Sequence, residues 1–173
     1  MDFTGFNLNE YKYFSPSVFV FSDEVRKMCE ANRCGKYNTN WQCPSGVGEI
    51  SVLKAEILSY KNAFVFSTCE KLEDSFDFEG MTAAMLKHKE ITRKISQLFK
   101  DKYGDVSILA AGGCTICEKC SYPNAPCRFP EKALHSVESC GINVVQLTGD
   151  LGMKYINGEN TVTYFSVILY NER

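Results

Sequence analysis

The sequence predicts a single α/β or α+β domain over residues 1–173, with a small mixed or parallel sheet, flanking helices and two cysteine-rich loops. Three observations predict it. Short apolar runs at 63–67 and 106–111 read as buried strands, and 161–170 as a final β-rich strand. Residues 82–103, lying between the first two runs, carry apolar side chains at helical spacing. Most of the nine cysteines fall in two segments that have no helical or strand period.

Each element has its own signal. Val18-Phe-Val-Phe21 reads as a strand. Ser22 then reads as an N-cap, with Asp23 and Glu24 in the first turn of a short helix ending near Cys29. Ile50, Leu53, Ile57 and Tyr60 recur at helical spacing and predict an amphipathic helix over 48–61. The strand at 63–67 has Cys69 at its end, and 70–80 is an acidic, turn-rich connection that reads as solvated. The long helix over 82–103 stops at Gly104, and Ile91, Ile95, Leu98 and Phe99 mark its inner face. His88 lies on that stripe and reads as a hydrogen-bonded core histidine, while Lys87, Lys89, Arg93 and Lys94 read as the solvated face. The strand at 106–111 runs directly into Gly112-Gly113-Cys114. Strand, long helix, strand predicts parallel strands with a right-handed crossover. It also sets the cysteine loop at the carboxyl end of a strand, where such sheets place ligands. Residues 131–139 read as a helix, with Pro130 in its first turn and Gly141 at its end, and 143–151 as another. Asn157-Gly158 is a hairpin signal before the last strand at 161–170.

Composition narrows the function. Hydrophobic residues make up 45% and charged residues 23%, as in ordinary globular proteins. A net charge of −2 gives no broad lure for nucleic acid or anionic membrane. No apolar run reaches the length of a membrane span, and the segment after Met1 lacks the basic and apolar regions of a signal peptide. The sequence therefore predicts a cytoplasmic chain, where thiols stay reduced and many cysteines point to metal rather than disulfides. It carries no glycine-rich phosphate loop, no GxSxG element and no basic aromatic stripe.

The segment from Cys114 to Cys127 carries the chemistry. Cys114, Cys117 and Cys120 sit three apart, and Cys127 follows seven positions later. A loop of this kind can wrap one side of an iron–sulfur cube and give one sulfur to each of three irons. Zinc is the runner-up, because its usual sites draw two close pairs from separate places in a chain. A second group comprises Cys29, Cys34 and Cys43, in a polar loop with Asn32, Asn38, Asn40 and the only tryptophan, Trp41. Nothing in its periodicity orders this loop, and bound metal would. Cys140 precedes Gly141 at a predicted helix end and closes the segment begun by Cys127. The predicted ligands are Cys29, Cys34, Cys43, Cys114, Cys117, Cys120, Cys127 and Cys140, enough for one or two 4Fe–4S clusters. Cys69 reads as packing. The sequence leaves open which four thiols hold which cube.

With both groups in view, the chain resembles a prokaryotic family of predicted metal-binding proteins catalogued as a domain of unknown function. The likeness rests on Cys29…Cys34-Gly-Lys-Tyr37…Trp41-Gln-Cys43-Pro44, on Gly112-Gly113-Cys114 through Cys127-Arg128-Phe-Pro130, and on Ser136-Val-Glu138-Ser-Cys140-Gly141-Ile142. Ser45 departs from it, because the family favours a second proline there. The resemblance implies metal binding, with iron–sulfur as the expected form, and supplies no reaction.

Three functions follow. The first is electron transfer to a redox partner protein through one or two clusters. The second is an enzyme in which the three thiols of the first group leave one iron open to a small substrate. Arg128, Glu138 and His135 are its candidate neighbours, read otherwise as a structural ion pair and two groups on a helix surface. The third is a zinc-stabilised interaction module.

Overall fold

The structure, a computed structural model, describes residues 1–172, so the predicted domain limit at 173 lies one residue outside the described residues. Its strands are β1 (Glu10–Phe14), β2 (Asn62–Lys71), β3 (Val106–Ala110), β4 (His135–Ser136) and β5 (Thr161–Tyr170), joined in one sheet in the order β1-β2-β5-β3-β4. The helices are α1 (Asp23–Glu30), α2 (Ile50–Ser59), α3 (Phe78–Tyr103) and α4 (Val144–Asp150). This is a single-domain α+β fold with a mixed sheet: β2 and β3 both run antiparallel to β5, and β4 runs parallel to β3.

Alternation along the strands gives the sheet two apolar faces. Phe64, Phe66 and Ile168 face one side and pack with Phe3 and with Ile95 and Phe99 of α3. Val65, Val167, Leu169 and Leu109 face the other side, beneath Leu53 and Ile57 of α2 and Leu147 of α4. Side-chain caps fix several helix starts: the Ser22 hydroxyl accepts from the Glu24 amide, Asp77 from Gly80 and Asn143 from Gln146.

Four predicted features change. Residues 18–21 make no strand, and only Phe21 bridges, to Ile142. Pro16 starts a 3-10 turn over Pro16–Val18, and the edge strand is the earlier, tyrosine-bearing β1. The predicted helix over 131–139 is absent. The chain there forms the two-residue β4 and a 3-10 turn at Glu138–Cys140, because pairing with β3 satisfies that backbone better than an isolated short helix. Asn157-Gly158 makes no hairpin, since β5 pairs with β2 and β3 and not with the segment before it. Finally, β2 and β3 are parallel in direction but not adjacent. β5 lies between them, so the strand–helix–strand unit is split.

The split positions the cysteine loop. β3 last pairs with β5 at Leu109 opposite Val167, while β5 extends back to Thr161 against β2. A shelf of β5 is left uncovered at the carboxyl end of β3. There the chain leaves Ala110 for Gly112-Gly113-Cys114. The crossover from β3 to the parallel β4 contains no helix and is made of the second cysteine segment.

Candidate metal centre

The first cysteine group starts on α1, whose last turn carries Cys29. The chain then makes turns through left-handed residues at Asn32, Gly35 and Asn38. The asparagines act as the loop's own scaffold: Asn32 Oδ1 accepts from the Tyr37 amide at 3.0 Å and Asn40 Oδ1 from the Gln42 amide at 3.0 Å. Side-chain-to-backbone bonds thus order a segment in which periodicity predicts no order but that of metal.

Cys29, Cys34 and Cys43 line one cavity of about 570 Å³, on the shelf of β5. Val25 and Met28 of α1, Tyr164 and Phe165 of β5, Tyr155 and the Glu138 carboxylate complete its wall, with Arg33 and Lys36 also lining it. Burial pushes the Cys29 thiol up to about 11, with the Glu138 carboxylate and the thiols of Cys34 and Cys43 adding to the rise. Burial also raises the Cys43 thiol, against a hydrogen bond from Asn40. These thiols become thiolates when a bound cation offsets their burial. Glu138, predicted on a helix surface, is half-buried, and burial raises its carboxyl.

The second group is separate. Cys114, Cys117, Cys120 and Cys127 line a cavity of about 30 Å³ with Asn40, Arg128 and Phe129. Arg128 meets no carboxylate there; its Nη2 donates to the Lys119 carbonyl at 2.8 Å and so braces the loop. Ser121 Oγ donates to the Pro126 carbonyl at 2.7 Å.

The two loops are joined. Tyr122 Oη donates to Asn38 Oδ1 at 2.8 Å and shares a 2.8 Å hydrogen bond with Ser45 Oγ. Ser45, the position that departs from the resembled family's proline, therefore supplies a cross-loop hydroxyl. Trp41 Nε1 donates to the Ala125 carbonyl at 3.0 Å, and its ring meets Tyr122 edge-on at 4.9 Å. Gly46 permits the approach, since a Cβ there would lie 2.6 Å from the Asn40 carbonyl oxygen and 2.9 Å from the Tyr122 ring. Sequence patterning does not identify this junction, because nothing in it pairs residues 84 positions apart such as Trp41 and Ala125.

Two cysteines stand apart from these walls. Cys140 is fully buried in the apolar core with Val137, Ile142 and Leu147, and burial pushes its thiol up to about 12. Cys69 lies within β2 opposite Thr163, half-buried. His135, predicted on a surface, is half-buried in β4, and its Nδ1 is buried without a hydrogen-bond partner among the described residues. His88 is a core residue held between Thr68 Oγ1 and Ser166 Oγ, each at 2.8 Å. Lys89 is not on the solvated face: it is 3% exposed and its Nζ donates to the Gly113 carbonyl beside Cys114.

The family model described as "Predicted metal-binding protein (DUF2284)" matches residues 12–170. The chain belongs to this family. The match takes in every cysteine of both groups, so family membership and the two thiol-lined cavities concern the same residues. No curated protein and no solved structure matches the chain.

The donor sets fit a thiophilic metal group. Soft thiolates suit iron–sulfur clusters and zinc. Among the described residues, no three His, Cys, Asp or Glu side chains form a group that could hold a single ion; the thiols border cavities. No helix among the described residues is long and apolar enough to cross a membrane.

Proposed function

We propose that this protein is a two-site iron–sulfur redox protein. In this reading Cys114, Cys117, Cys120 and Cys127 enclose one 4Fe–4S cluster, and Cys29, Cys34 and Cys43 hold a second by three thiolates. The observation that carries it is the sorting of seven cysteines into two walls, four lining one cavity and three another. A cluster is ligated by one sulfur per iron, so its thiols stand around it instead of meeting at one point. Such a group supplies one-electron redox chemistry. The protein's part is to shield it, with Arg128 and Phe129 at the second site and Tyr155 and Phe165 at the first. Electrons pass to a redox partner protein.

A second reading, an enzyme acting at the first site, is favoured by the size of that cavity. Small-molecule pockets measure roughly 300–1,000 Å³, and the first cavity falls in that range. Three thiolates leave one iron without a protein sulfur, and a small ligand would meet it beside Glu138.

Iron and sulfide analysis of anaerobically purified protein tests the proposal. The expected content is about eight irons per chain, two cubes. Zinc with little iron would overturn it in favour of the zinc-stabilised module. Resonance spectra of the reduced protein, with and without added cyanide, separate the two readings. A shift in one cluster's signal favours the enzyme, and unchanged signals favour electron transfer alone.

A further inference from the structure

A buried ammonium needs anionic or hydrogen-bonding partners for its three N–H groups. Lys89 lies on α3 in line with the buried Thr92 and Ser96 and next to the exposed Arg93, and is itself 3% exposed. One acceptor meets its Nζ among the described residues, the neutral carbonyl of Gly113. No carboxylate does: the one ion pair among the described residues joins Lys87 to Glu70. Burial disfavours the charged form of Lys89; the thiols of Cys114 and Cys43, one from each cysteine group, favour it when ionised, while Arg93 and Lys36 act on it as like charges. Gly113 is held between the two lysines, since a Cβ on it would lie 2.9 Å from Lys36 Cγ. Lys89 thus sits where Gly113 of the second loop meets Lys36 of the first, with the thiols of Cys43 and Cys114 as its candidate anions.

We infer that Lys89 is the counter-cation shared by the two cysteine sites, placed to balance the charge of thiolate-bound metal at Cys43 and Cys114 together. The inference rests on the reading that both groups bind metal. It explains why the buried side of α3 carries a lysine, and why its hydrogen bond fixes the backbone one residue before the first ligand of the second group. A buried charge whose partners are ligands is unsatisfied without metal and satisfied with it. A cation close to a cluster also favours the state holding one more electron, because the extra negative charge lies in its field.

The test uses Lys89→Met, which keeps the apolar stem, and Lys89→Arg, which keeps the charge. Thermal unfolding is measured on chelator-treated and metal-loaded full-length chains, and reduction potentials on the loaded proteins. Lys89→Met is expected to raise the melting temperature of the metal-free chain and lower that of the loaded chain. Its potentials are expected to move negative, and Lys89→Arg to return them toward the wild-type value. Shifts of the same sign in both forms, failure of the metal-free Met variant to fold, or unchanged potentials would overturn the inference. The arms separate it from the functional proposal. If the wild-type protein carries zinc, the cluster reading fails while the opposite-sign melting test of Lys89 still stands.

Discussion

Cys114, Cys117, Cys120 and Cys127 come from one continuous stretch and close around a small cavity. Cys29, Cys34 and Cys43 instead line a wall that α1, β5 and the turn at Glu138–Cys140 complete around a much larger one. The second site is local: the side-chain bonds of Ser121 and Arg128 within it run to carbonyls of the same loop. The first is assembled, and its shape depends on where β3 stops along β5. In the proposed reading the difference divides the work: a local four-thiol loop would saturate what it binds, and an assembled three-thiol wall would leave room for something else.

Removing thiols is the strongest way to break that comparison. Cys120→Ser is expected to lose the second site's iron, about half of the total of two cubes, because serine oxygen is a harder and poorer ligand than thiolate. Cys34→Ser, at an exposed position of the first wall, is expected to lower first-site iron alone. Cys140→Ser discriminates between seven and eight ligands. From its place in the core, full iron is expected, with roughly 1–3 kcal/mol lost for a buried hydroxyl. Iron loss in that variant would restore Cys140 as a ligand, as the sequence predicts. Iron per chain on anaerobically purified variants is the measurement.

Acid provides a smaller perturbation, and the sheet answers it separately from the sites. Burial holds the His88 imidazole down to about 4, from an ordinary 6.5. Between those values the unfolded chain binds more protons than the native one, so stability rises with pH up to about 6.5 and then levels. Over that window the change is about 3 kcal/mol. Urea unfolding of the metal-free chain, followed by far-UV circular dichroism from pH 4 to 7, checks it. A slope unchanged in His88→Gln would mean that His88 is not held neutral, since the raised Glu138 carboxyl acts with the opposite sign over part of the window. Trp41 is the single tryptophan and lies at the loop junction, so its fluorescence reports the sites while circular dichroism reports the sheet. In metal-loaded protein, acid release of thiolate ligands appears in the first signal.

The same contrast decides what was legible in the sequence. The second cysteine group could be read from spacing alone because its four thiols are local. Helix α3, the strands β2, β3 and β5, and the cap at Ser22 also follow from local patterns. The first site was legible only as a list of thiols. Its cavity is made by the ledge of β5, and that ledge exists because β5 inserts between β2 and β3, a choice of pairing no local pattern states. Lys89 was hidden for a related reason. Helical spacing sets it with Thr92 and Ser96, a polar row beside the apolar stripe, and only the loop lying over α3 shows that the row is buried, while Leu98, placed on the inner stripe, is 38% exposed.

The smallest expected effect asks whether the two sites are independent at all. Tyr122 belongs to the second loop, yet its hydroxyl bonds Asn38 and Ser45 of the first. Tyr122→Phe removes those bonds and leaves the ring that Trp41 meets edge-on. The expected loss is about 1 kcal/mol, the usual net worth of a neutral hydrogen bond. Ser45 Oγ, released from Tyr122, lies 3.1 Å from Asn38 Oδ1 and donates to it, so neither is stranded. The loss should appear as an earlier Trp41 fluorescence transition, with the sheet's circular dichroism transition unchanged. The cysteines of the second group remain intact in this variant, so a changed first-site resonance spectrum would have to travel through the junction. That change is the expected outcome. A first-site spectrum identical to wild type, with only the second altered, would show that the loops touch without coupling and that each site is set by its own segment.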